Sequence, residues 1–572
     1  MKRKNIYIIF STILIILSVV IITTQIDKKN HSSQQKNSEM PIQEYTPIDV
    51  KNLALLCKIW GFMKYYHPEI RAGKYDWDRE LFYIMPSLIS ITSKEKRNEI
   101  FSKWMDKFDV PMEQNRKSLT HTDSIKLYPD INWIDDTVTL GATLSNKLRK
   151  IHNVEQDTLS YYVGLHKNKN AIFKHENDYP QCPLPNINYQ LLALFRLWNA
   201  IQYYYPYRYL FREDWNETLL KYIPLFLKIR NKEDYVNTLK MFIAEIHDAH
   251  AQIIGGGRTK KFLVPVMIRF IEGRAIVTDY YEISPNYQGS IDNSLQIGDI
   301  ILRVNNEPVD SLIKRMIPYT PGSNKASLYR NIVLFELLWS NDKELYIDYE
   351  RDGRPCKAKI KCIPQKYTIL TIAQKSQPLI TTFPSNILYL YMGSSIEGEM
   401  PKEIKEKGVI IDLRNYPSSK KIKGYINYEL LYPYPTNCAL ATNGSLLYPG
   451  LFTFDQTSKA GKKNREYYQG EKVILVNEFT QSHAEFTAMK YKQAPKAIVM
   501  GSTTAGADGN ISIITLPGGL KAIFTGLGIY YPNKSETQQI GIVPDIEVKS
   551  TIQGIREGRD EVLEAAIKYL NR

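Results

Sequence analysis

Apolar residues recur three and four positions apart in two stretches of the first half of the chain, a spacing that predicts amphipathic helices. The stretches, residues 53–109 and 191–247, match each other at a constant offset that pairs Trp60 with Trp198. Such internal similarity is typical of a structural unit that occurs twice. We therefore predict a helical region over residues 46–255 that contains two copies of one repeat.

In residues 262–365 the spacing of apolar residues is shorter than in a helix and is typical of β-strands. Asp352 and Gly353 form a turn signal between two apolar runs, which predicts a hairpin. The run from Gly298 to Asn305 (Gly-Asp-Ile-Ile-Leu-Arg-Val-Asn) resembles part of a PDZ domain. PDZ domains bind extended peptides by adding a strand to an exposed sheet edge. The alternative is a β insertion that serves only as a scaffold.

From residue 366 to residue 572, short apolar runs alternate with helical patterns, which indicates an α/β domain. We predict a hairpin-like stretch near the C-terminus at residues 541–546 and a final amphipathic helix at residues 560–570. The runs that predict buried strands are residues 387–391, 409–414, 473–476 and 497–500.

The N-terminus carries three basic residues followed by an uncharged, apolar run over residues 5–25. That run is long enough to cross a bilayer, and the basic residues should stay in the cytoplasm. We predict that residues 1–25 are an uncleaved membrane anchor, with a cleaved signal segment as the alternative. Residues 26–45 are polar and predict a linker. The rest of the chain should then face the periplasmic side of the cell envelope.

Composition excludes several classes of protein. The 572 residues are 43% apolar and 23% charged, as in ordinary globular proteins. The net charge of +14 is spread along the chain without a nucleic-acid-binding motif, so we predict no nucleic-acid partner. The five cysteines include no CxxC pair, which argues against a disulfide scaffold or a zinc ribbon.

Residues 480–485 (Thr-Gln-Ser-His-Ala-Glu) lie between a predicted buried strand and a predicted helix. A serine at such a junction, here Ser482, has its hydroxyl near the free N–H groups of the helix N-terminus, which favour a developing negative charge. That arrangement suits a nucleophile for acyl transfer. The alternative is structural, because Ser482 and Glu485 also fit a helix capping box.

His250 follows the second repeat copy, where a helix should give way to a strand, and the first copy has no histidine at the matching point. This edge position suits a general base. His247, three residues earlier, could instead share a metal with His250, but neither an HExxH motif nor a cysteine partner accompanies the pair. We predict no metal and no cofactor.

Taken together, these motifs resemble the C-terminal-processing (tail-specific) and tricorn-like serine peptidases over residues 240–572. The resemblance implies a crotonase-like (ClpP/crotonase-type) α/β protease core with an inserted PDZ domain. The helical repeat lies outside the shared part. The motifs, in order, are His250, the PDZ-like insertion, and residues 410–414, 480–485, 501–506 and 541–545.

The resemblance also bears on the base and the oxyanion hole. Processing proteases of this kind carry a lysine where this chain has Ala507, whereas the tricorn-like branch uses a histidine before the PDZ domain, which maps onto His250. His483 is a rival base, but its ring should point away from its helix neighbour Ser482. The backbone N–H of His483 is a candidate oxyanion donor, and the loop at Asn415 is the candidate for the second.

The carboxylate that orients the base remains open at the level of sequence. The tricorn-like pattern has a glutamate near its C-terminal motif, for which Glu536 is the nearest candidate, and a serine where this chain has Ala249. Asp248, two residues before His250, could orient the imidazole instead.

We therefore expect an exported serine peptidase in which Ser482 and His250 cleave peptides or protein C-termini, with substrate bound by the PDZ-like module. A catalytically inactive peptide-binding protein of the same fold is the first alternative. An interaction scaffold built on the helical repeat is the second.

Overall fold

The computed structural model describes residues 39–41, 43–108, 122–155, 160–182, 186–255, 260–369, 378–393, 396–417, 420–426 and 428–572. The predicted membrane segment, residues 1–25, and most of the predicted linker lie outside the described residues. Across the described ranges, no helix is both long enough and apolar enough to cross a membrane.

The first half of the described chain is largely helical. Thr46 caps the first helix, which ends at Tyr66 because Pro68 disfavours a helical conformation at the residue before it. The equivalent helix of the second stretch ends at Tyr204, ahead of Pro206, for the same reason. The helices of this region are Pro47–Tyr66, Pro68–Arg71, Trp77–Ile84, Lys94–Met105, Thr137–Asn153, Ile187–Tyr204, Trp215–Leu227 and Lys232–Ala244.

The two sequence-related stretches contain the same buried corner. In the first, the indole N–H groups of Trp60 and Trp77 donate to each other's backbone carbonyls at 2.9 and 3.0 Å. In the second, Trp198 and Trp215 do the same at 2.9 and 3.2 Å. Each pair joins a long helix to the start of the next one.

Equivalent residues of the two stretches also contact each other. The rings of Tyr65 and Tyr203 pack edge to face with their centroids 5.4 Å apart. Gly61 lies against Asn199, and a Cβ added to Gly61 would be 1.8 Å from Asn199 Oδ1. Asn199 Nδ2 donates to the Cys57 carbonyl at 3.0 Å. Glycine at position 61 therefore permits the close approach of the two long helices.

Residues 262–365 form an antiparallel sheet with its own hydrophobic core. Asp352 and Gly353 have positive φ, which the predicted two-residue hairpin requires. The helices Val309–Met316 and Lys325–Ile332 belong to this module. The strand order is Arg354–Lys361, Glu344–Arg351, Ile300–Val304, Arg274–Tyr280 and Val266–Ile271, with Glu307–Pro308 paired to Ile300–Val304.

The remaining residues form the mixed α/β fold that the sequence predicts. Its central sheet is parallel apart from the first hairpin, and the strand cores are continuous Val, Ile and Leu runs, as expected for strands covered on both faces. The helices His483–Lys492 and Glu561–Leu570 pack against it. The strand order is Ile380–Phe383, Ile387–Tyr391, Gly408–Asp412, Glu471–Val476, Ala497–Gly501 and Ile546–Glu547.

One predicted element is wrong. The stretch 541–546 is not a hairpin: it runs through a turn at Gly541 into the short strand Ile546–Glu547, which joins the parallel edge of the central sheet. Asp545 closes this connection, because its N–H donates to the Val499 carbonyl and its carboxylate accepts from the Val499 N–H, both at 2.8 Å.

A small sheet connects the helical region to the α/β domain. Its strands are Ile511–Leu516, Leu520–Thr525 and Gln252–Gly255, in that order. The inner face of this small sheet packs into the same hydrophobic core as the helices. Its edge strand, Gln252–Gly255, begins two residues after His250, so the small sheet fixes where His250 lies.

The other described strands form five smaller sheets. They are Thr436–Gly444 with Phe452–Ala460, Gly528–Tyr530 and Ile125–Leu127; Phe262–Leu263 with Trp339–Ser340 and Ile363–Pro364; Glu282–Ile283 with Thr368–Ile369; Gly398–Glu399 with Ile422–Lys423; and Val163–Leu165 with Ala171–Phe173.

Candidate active site

Ser482 lies in a sharp turn between the central strand Glu471–Val476 and the helix His483–Lys492. Its backbone has φ 56° and ψ −121°, a conformation that L-residues rarely adopt. The Ser482 N–H donates to the Ala507 carbonyl at 2.9 Å and to Glu485 Oε2 at 3.0 Å, which holds the turn in place. Strained backbone of this kind is concentrated at functional sites.

Glu485 links this turn to the loop 501–508 by hydrogen bonds. Its carboxylate is buried and accepts hydrogen bonds from the N–H groups of Gly506 at 2.8 Å and Ala507 at 3.1 Å, and from the Thr504 hydroxyl. Burial raises the pKa of the Glu485 carboxyl, and these hydrogen bonds oppose the rise. Glu485 therefore has a wider role than the helix capping that the sequence indicates.

His250 is held by a chain of two hydrogen bonds. Its Nδ1 lies 2.8 Å from the Thr525 hydroxyl, and that hydroxyl donates to Asp248 Oδ1 at 2.9 Å. Because Thr525 gives its only proton to the carboxylate, it must accept the proton of His250 Nδ1–H. The Nε2 of a neutral His250 therefore carries the lone pair that a general base needs.

Asp248 is fully buried and is fixed by several donors. It also accepts from the Thr525 N–H at 2.7 Å, from Gln538 Nε2 at 3.3 Å and from the His250 N–H at 3.0 Å. Ala249 and His250 lie in a turn just before the strand Gln252–Gly255. Burial lowers the pKa of His250, and the Asp248 charge opposes that effect.

The structure brings Ser482 and His250 to one cleft. The residues that precede them touch, because Gln481 Nε2 lies 3.4 Å from the Ala249 carbonyl oxygen. The cleft has a volume of about 960 Å³, and its wall includes Ser482, His250 and Asn415. A peptide could therefore contact both side chains at once.

The His483 ring is turned away from this chemistry, whereas its backbone is not. His483 Nε2 bonds to the Tyr425 hydroxyl at 2.5 Å, and burial lowers the pKa of the ring. The backbone N–H of His483 is in the first turn of its helix and has no helical acceptor. The Tyr416 ring lies nearby, with its centroid 6.4 Å from that of the His483 ring.

Asn415 and Tyr416 follow the central strand Gly408–Asp412. The Asn415 side chain is buried, and neither its Oδ1 nor its Nδ2 has a hydrogen-bond partner among the described residues. Tyr416 is 49% exposed, and burial of the remainder raises the pKa of its phenol. No pattern in the sequence indicates that Tyr416 lines the same cleft as Ser482.

Glu536 lies elsewhere, and the structure does not bring it to His250. Its Oε1 pairs with Lys126 Nζ at 2.7 Å, and its Oε2 accepts from the Tyr209 hydroxyl at 2.7 Å. The carboxylate beside the imidazole is that of Asp248. Within the described ranges, no group of three His, Cys, Asp or Glu side chains is arranged to hold a metal ion.

The chain is similar to known proteins in part of its sequence and in its fold. Residues 399–548 match the model of peptidase family S41. No curated protein sequence matches the chain. Mature CPAF complexed with lactacystin has a similar structure, with a TM-score of 0.51 and 15% identity over 67% of this chain and 98% of that one.

Two further solved structures are similar to the chain. A serine-to-alanine mutant of CPAF has a TM-score of 0.52 and 14% identity over 67% of this chain and 96% of that one. The photosystem II D1 C-terminal processing protease has a TM-score of 0.37 and 16% identity over 67% and 97%. At these identities, the CPAF likeness concerns the fold alone.

The α/β fold, the family match and the strained serine together define a serine-type peptidase. The part of the chain that matches peptidase family S41, residues 399–548, contains Ser482.

Proposed function

We propose that Ser482 and His250 are the nucleophile and the general base of this peptidase. The Ser482 hydroxyl oxygen attacks a substrate carbonyl carbon while His250 Nε2 takes its proton. His250 then gives that proton to the leaving amine as the C–N bond breaks, which leaves an acyl-enzyme on Ser482. A water molecule, deprotonated by His250 in turn, hydrolyses the ester, and the proton returns to Ser482.

The observation that carries this proposal is the hydrogen-bond chain from His250 to Thr525 and Asp248. It selects the Nδ1–H tautomer and supports the positive imidazolium that forms during the reaction. We assign Thr525 and Asp248 as positioning residues, and this replaces Glu536 in the role that the sequence suggested. The backbone N–H of His483 is the proposed oxyanion donor, and the loop at Asn415 is the candidate for the second.

We also assign residues 262–365 as a PDZ-like module that binds substrate, inserted in a crotonase-like core. Its edge strand Val266–Ile271 and helix Lys325–Ile332 line a cavity of about 420 Å³ against the α/β domain. Two arginines of this wall reach the turn before Ser482. Arg269 pairs with the Glu478 carboxylate at 2.8 Å, and Arg330 donates to the Glu478 carbonyl at 2.7 Å. An extended peptide seated there would lie close to the nucleophile turn.

The substrates that we propose are peptides or protein C-termini on the periplasmic side of the cell envelope. The support for this location is the basic and apolar N-terminal pattern, which also predicts membrane association. Membrane fractionation of the full chain beside residues 26–572 tests it. Only the full chain should sediment with membranes, and equal partition of the two would contradict the proposal.

Hydrolysis of a fluorogenic peptide by full-length protein tests the mechanism. Ser482→Ala should lower kcat by at least about 10⁴-fold, and His250→Ala by about as much, because nucleophile and base act as a unit. Activity of Ser482→Ala within about tenfold of wild type would remove Ser482 from the mechanism.

A further inference from the structure

The strand Gln252–Gly255 is an edge of the small sheet, and it lines the cleft that contains Ser482 and His250. Among the described residues, this strand pairs with Leu520–Thr525 on one side and with no strand on the other. We propose that the edge binds the peptide substrate, which adds to the small sheet as a fourth strand beside the scissile bond. The inference rests on the proposed function of Ser482 and His250, and it concerns a site separate from the PDZ-like module.

One hydrogen bond fixes the direction of the backbone groups in the small sheet. The Thr525 N–H donates to Asp248 Oδ2 at 2.7 Å, so it points toward the segment that leads into the edge strand. Along an antiparallel strand, successive residues direct their N–H and C=O groups to opposite sides. Ile523 and Lys521, two and four residues before Thr525, therefore direct their backbone groups toward the edge strand as well.

The same alternation leaves half of the edge strand's backbone groups free. The partners of Ile523 and Lys521 in the register are Gln252 and Ile254, which use their own N–H and C=O groups on that pairing. The backbone groups of Ile253 and Gly255 consequently point away from the small sheet, and both residues line the cleft. A free edge of this kind hydrogen-bonds to any extended peptide, whatever its side chains.

Asn415 gives independent evidence that this cleft takes a ligand with peptide groups. Its side chain lines the cleft and is 3% exposed, and neither of its polar atoms has a partner among the described residues. Leaving a buried amide unpaired is unfavourable. A peptide group carries one donor and one acceptor, which are the partners that the Asn415 amide lacks. The cleft therefore offers hydrogen bonds to a peptide backbone from the edge strand and from Asn415.

The outer face of the small sheet gives the site a preference for apolar side chains. Ile254 and Ile511 are 36% and 38% exposed, and both line the cleft. Their strands bury the alternate residues, among them Ile253 and Ile514, in the core of the helical region. Ile511 is also the register partner of Thr525, the residue that holds His250. The preferred substrate is an extended segment with an aliphatic or aromatic side chain that packs on these two isoleucines.

Ile253→Pro, with Ile253→Ala as its matched control, tests the edge in the full-length protein. Both substitutions remove the isoleucine side chain, but only proline removes the outward N–H, and an edge strand tolerates proline where its N–H faces away from the sheet. For a peptide that the wild type cleaves, kcat/KM of Ile253→Pro should be at least about tenfold below that of Ile253→Ala, because one hydrogen bond to the substrate is lost. Thermal melting establishes that both variants are folded. Equal values of kcat/KM would overturn the proposal.

A fluorophosphonate separates substrate binding from the chemistry at Ser482. The probe has no peptide backbone and does not need the edge, so Ile253→Pro and Ile253→Ala should label at similar rates. If Ser482 stays unlabelled even in the wild type, the proposed function fails together with the edge. If Ser482 is labelled but the two variants hydrolyse the peptide equally well, only the edge fails.

Slow labelling of Ile253→Pro would show that the proline also disturbs His250, and N-methylated peptides then decide with the wild-type enzyme. In a paired strand, alternate peptide N–H groups face the edge. Methylation of those nitrogens should lower kcat/KM by about tenfold or more, and methylation of the nitrogens between them should have little effect. A penalty that does not alternate along the peptide would overturn the proposal.

Discussion

Gln481 and Ala249 are in contact, with the Gln481 side-chain nitrogen 3.4 Å from the Ala249 carbonyl oxygen. Gln481 precedes the proposed nucleophile, and Ala249 precedes the proposed base. The side-chain oxygen of Gln481 accepts a hydrogen bond from Arg330 Nη2 at 2.6 Å. The inserted module therefore supports the junction between two segments that lie on either side of it in the sequence.

The role of Thr525 as a positioning residue predicts a difference between two substitutions. Thr525→Val removes the hydroxyl that joins His250 to Asp248, so kcat should fall by at least about 10²-fold while KM changes little. Thr525→Ser keeps the hydroxyl and should restore most of the activity. Steady-state kinetics with a peptide substrate measure both. Equal kinetics for the two variants would show that the hydroxyl has no such role.

The acid limb of the pH profile follows from the burial of His250. A base must be unprotonated to accept the Ser482 proton, so kcat/KM falls as the pH drops through its pKa. Burial lowers the pKa of His250, which places that fall below the ordinary value of about 6.5. Measurement of kcat/KM from pH 4 to pH 9 tests this. An acid limb with an apparent pKa above about 7 would contradict the assignment.

Glu536 should be dispensable for catalysis. Its carboxylate is shared between Lys126 and Tyr209, and its side chain is 21% exposed. Glu536→Gln should therefore keep kcat within about threefold of wild type and lower the free energy of unfolding by about 1 kcal/mol or less. Asp248→Asn is the comparison, because it weakens the acceptor in the His250 chain and should reduce kcat strongly. If Glu536→Gln were the more damaging change, Glu536 would be the orienting carboxylate.

The close contact between the two long repeat helices predicts a large effect of one methyl group. Gly61→Ala would place a Cβ 1.8 Å from Asn199 Oδ1 in a buried interface, so one of the helices must shift. We expect the free energy of unfolding to fall by about 1–3 kcal/mol, as in other overpacked cores. Denaturant unfolding measures it, and the double change Gly61→Ala with Asn199→Ala should recover part of the loss. An unchanged midpoint for Gly61→Ala would contradict the packing described.

Much of the α/β domain could be predicted from local patterns. The continuous apolar run that ends at Val476 and the polar turn before His483 predict a buried strand, a turn and a helix, and the structure has them. The Asp352-Gly353 turn signal also predicts the hairpin that the structure has there. The sequence of residues 541–546 does not separate the short strand from a hairpin, because a strand of two residues has too few alternating positions.

The positions of the site's side chains depend on contacts between segments that are distant in the sequence. No periodic pattern in a single sequence indicates such contacts. Asp248 and His250 are close in the sequence, but the Thr525 hydroxyl that joins their side chains lies 275 residues after His250. Thr525 ends the strand Leu520–Thr525, which pairs with the strand after His250, and no motif in the sequence marks it. The position of Glu536 in the sequence suggests an orienting role, but the structure pairs its carboxylate with Lys126.

The central claim is that His250 activates Ser482, and the rate of fluorophosphonate labelling at Ser482 tests it most directly. Mass spectrometry should map the adduct of the wild-type protein to Ser482. His250→Ala should label at least about 10³-fold more slowly, while His483→Ala, which keeps its backbone N–H, should stay within about tenfold of wild type. Labelling of His250→Ala at the wild-type rate, or an adduct on a residue other than Ser482, would contradict the account.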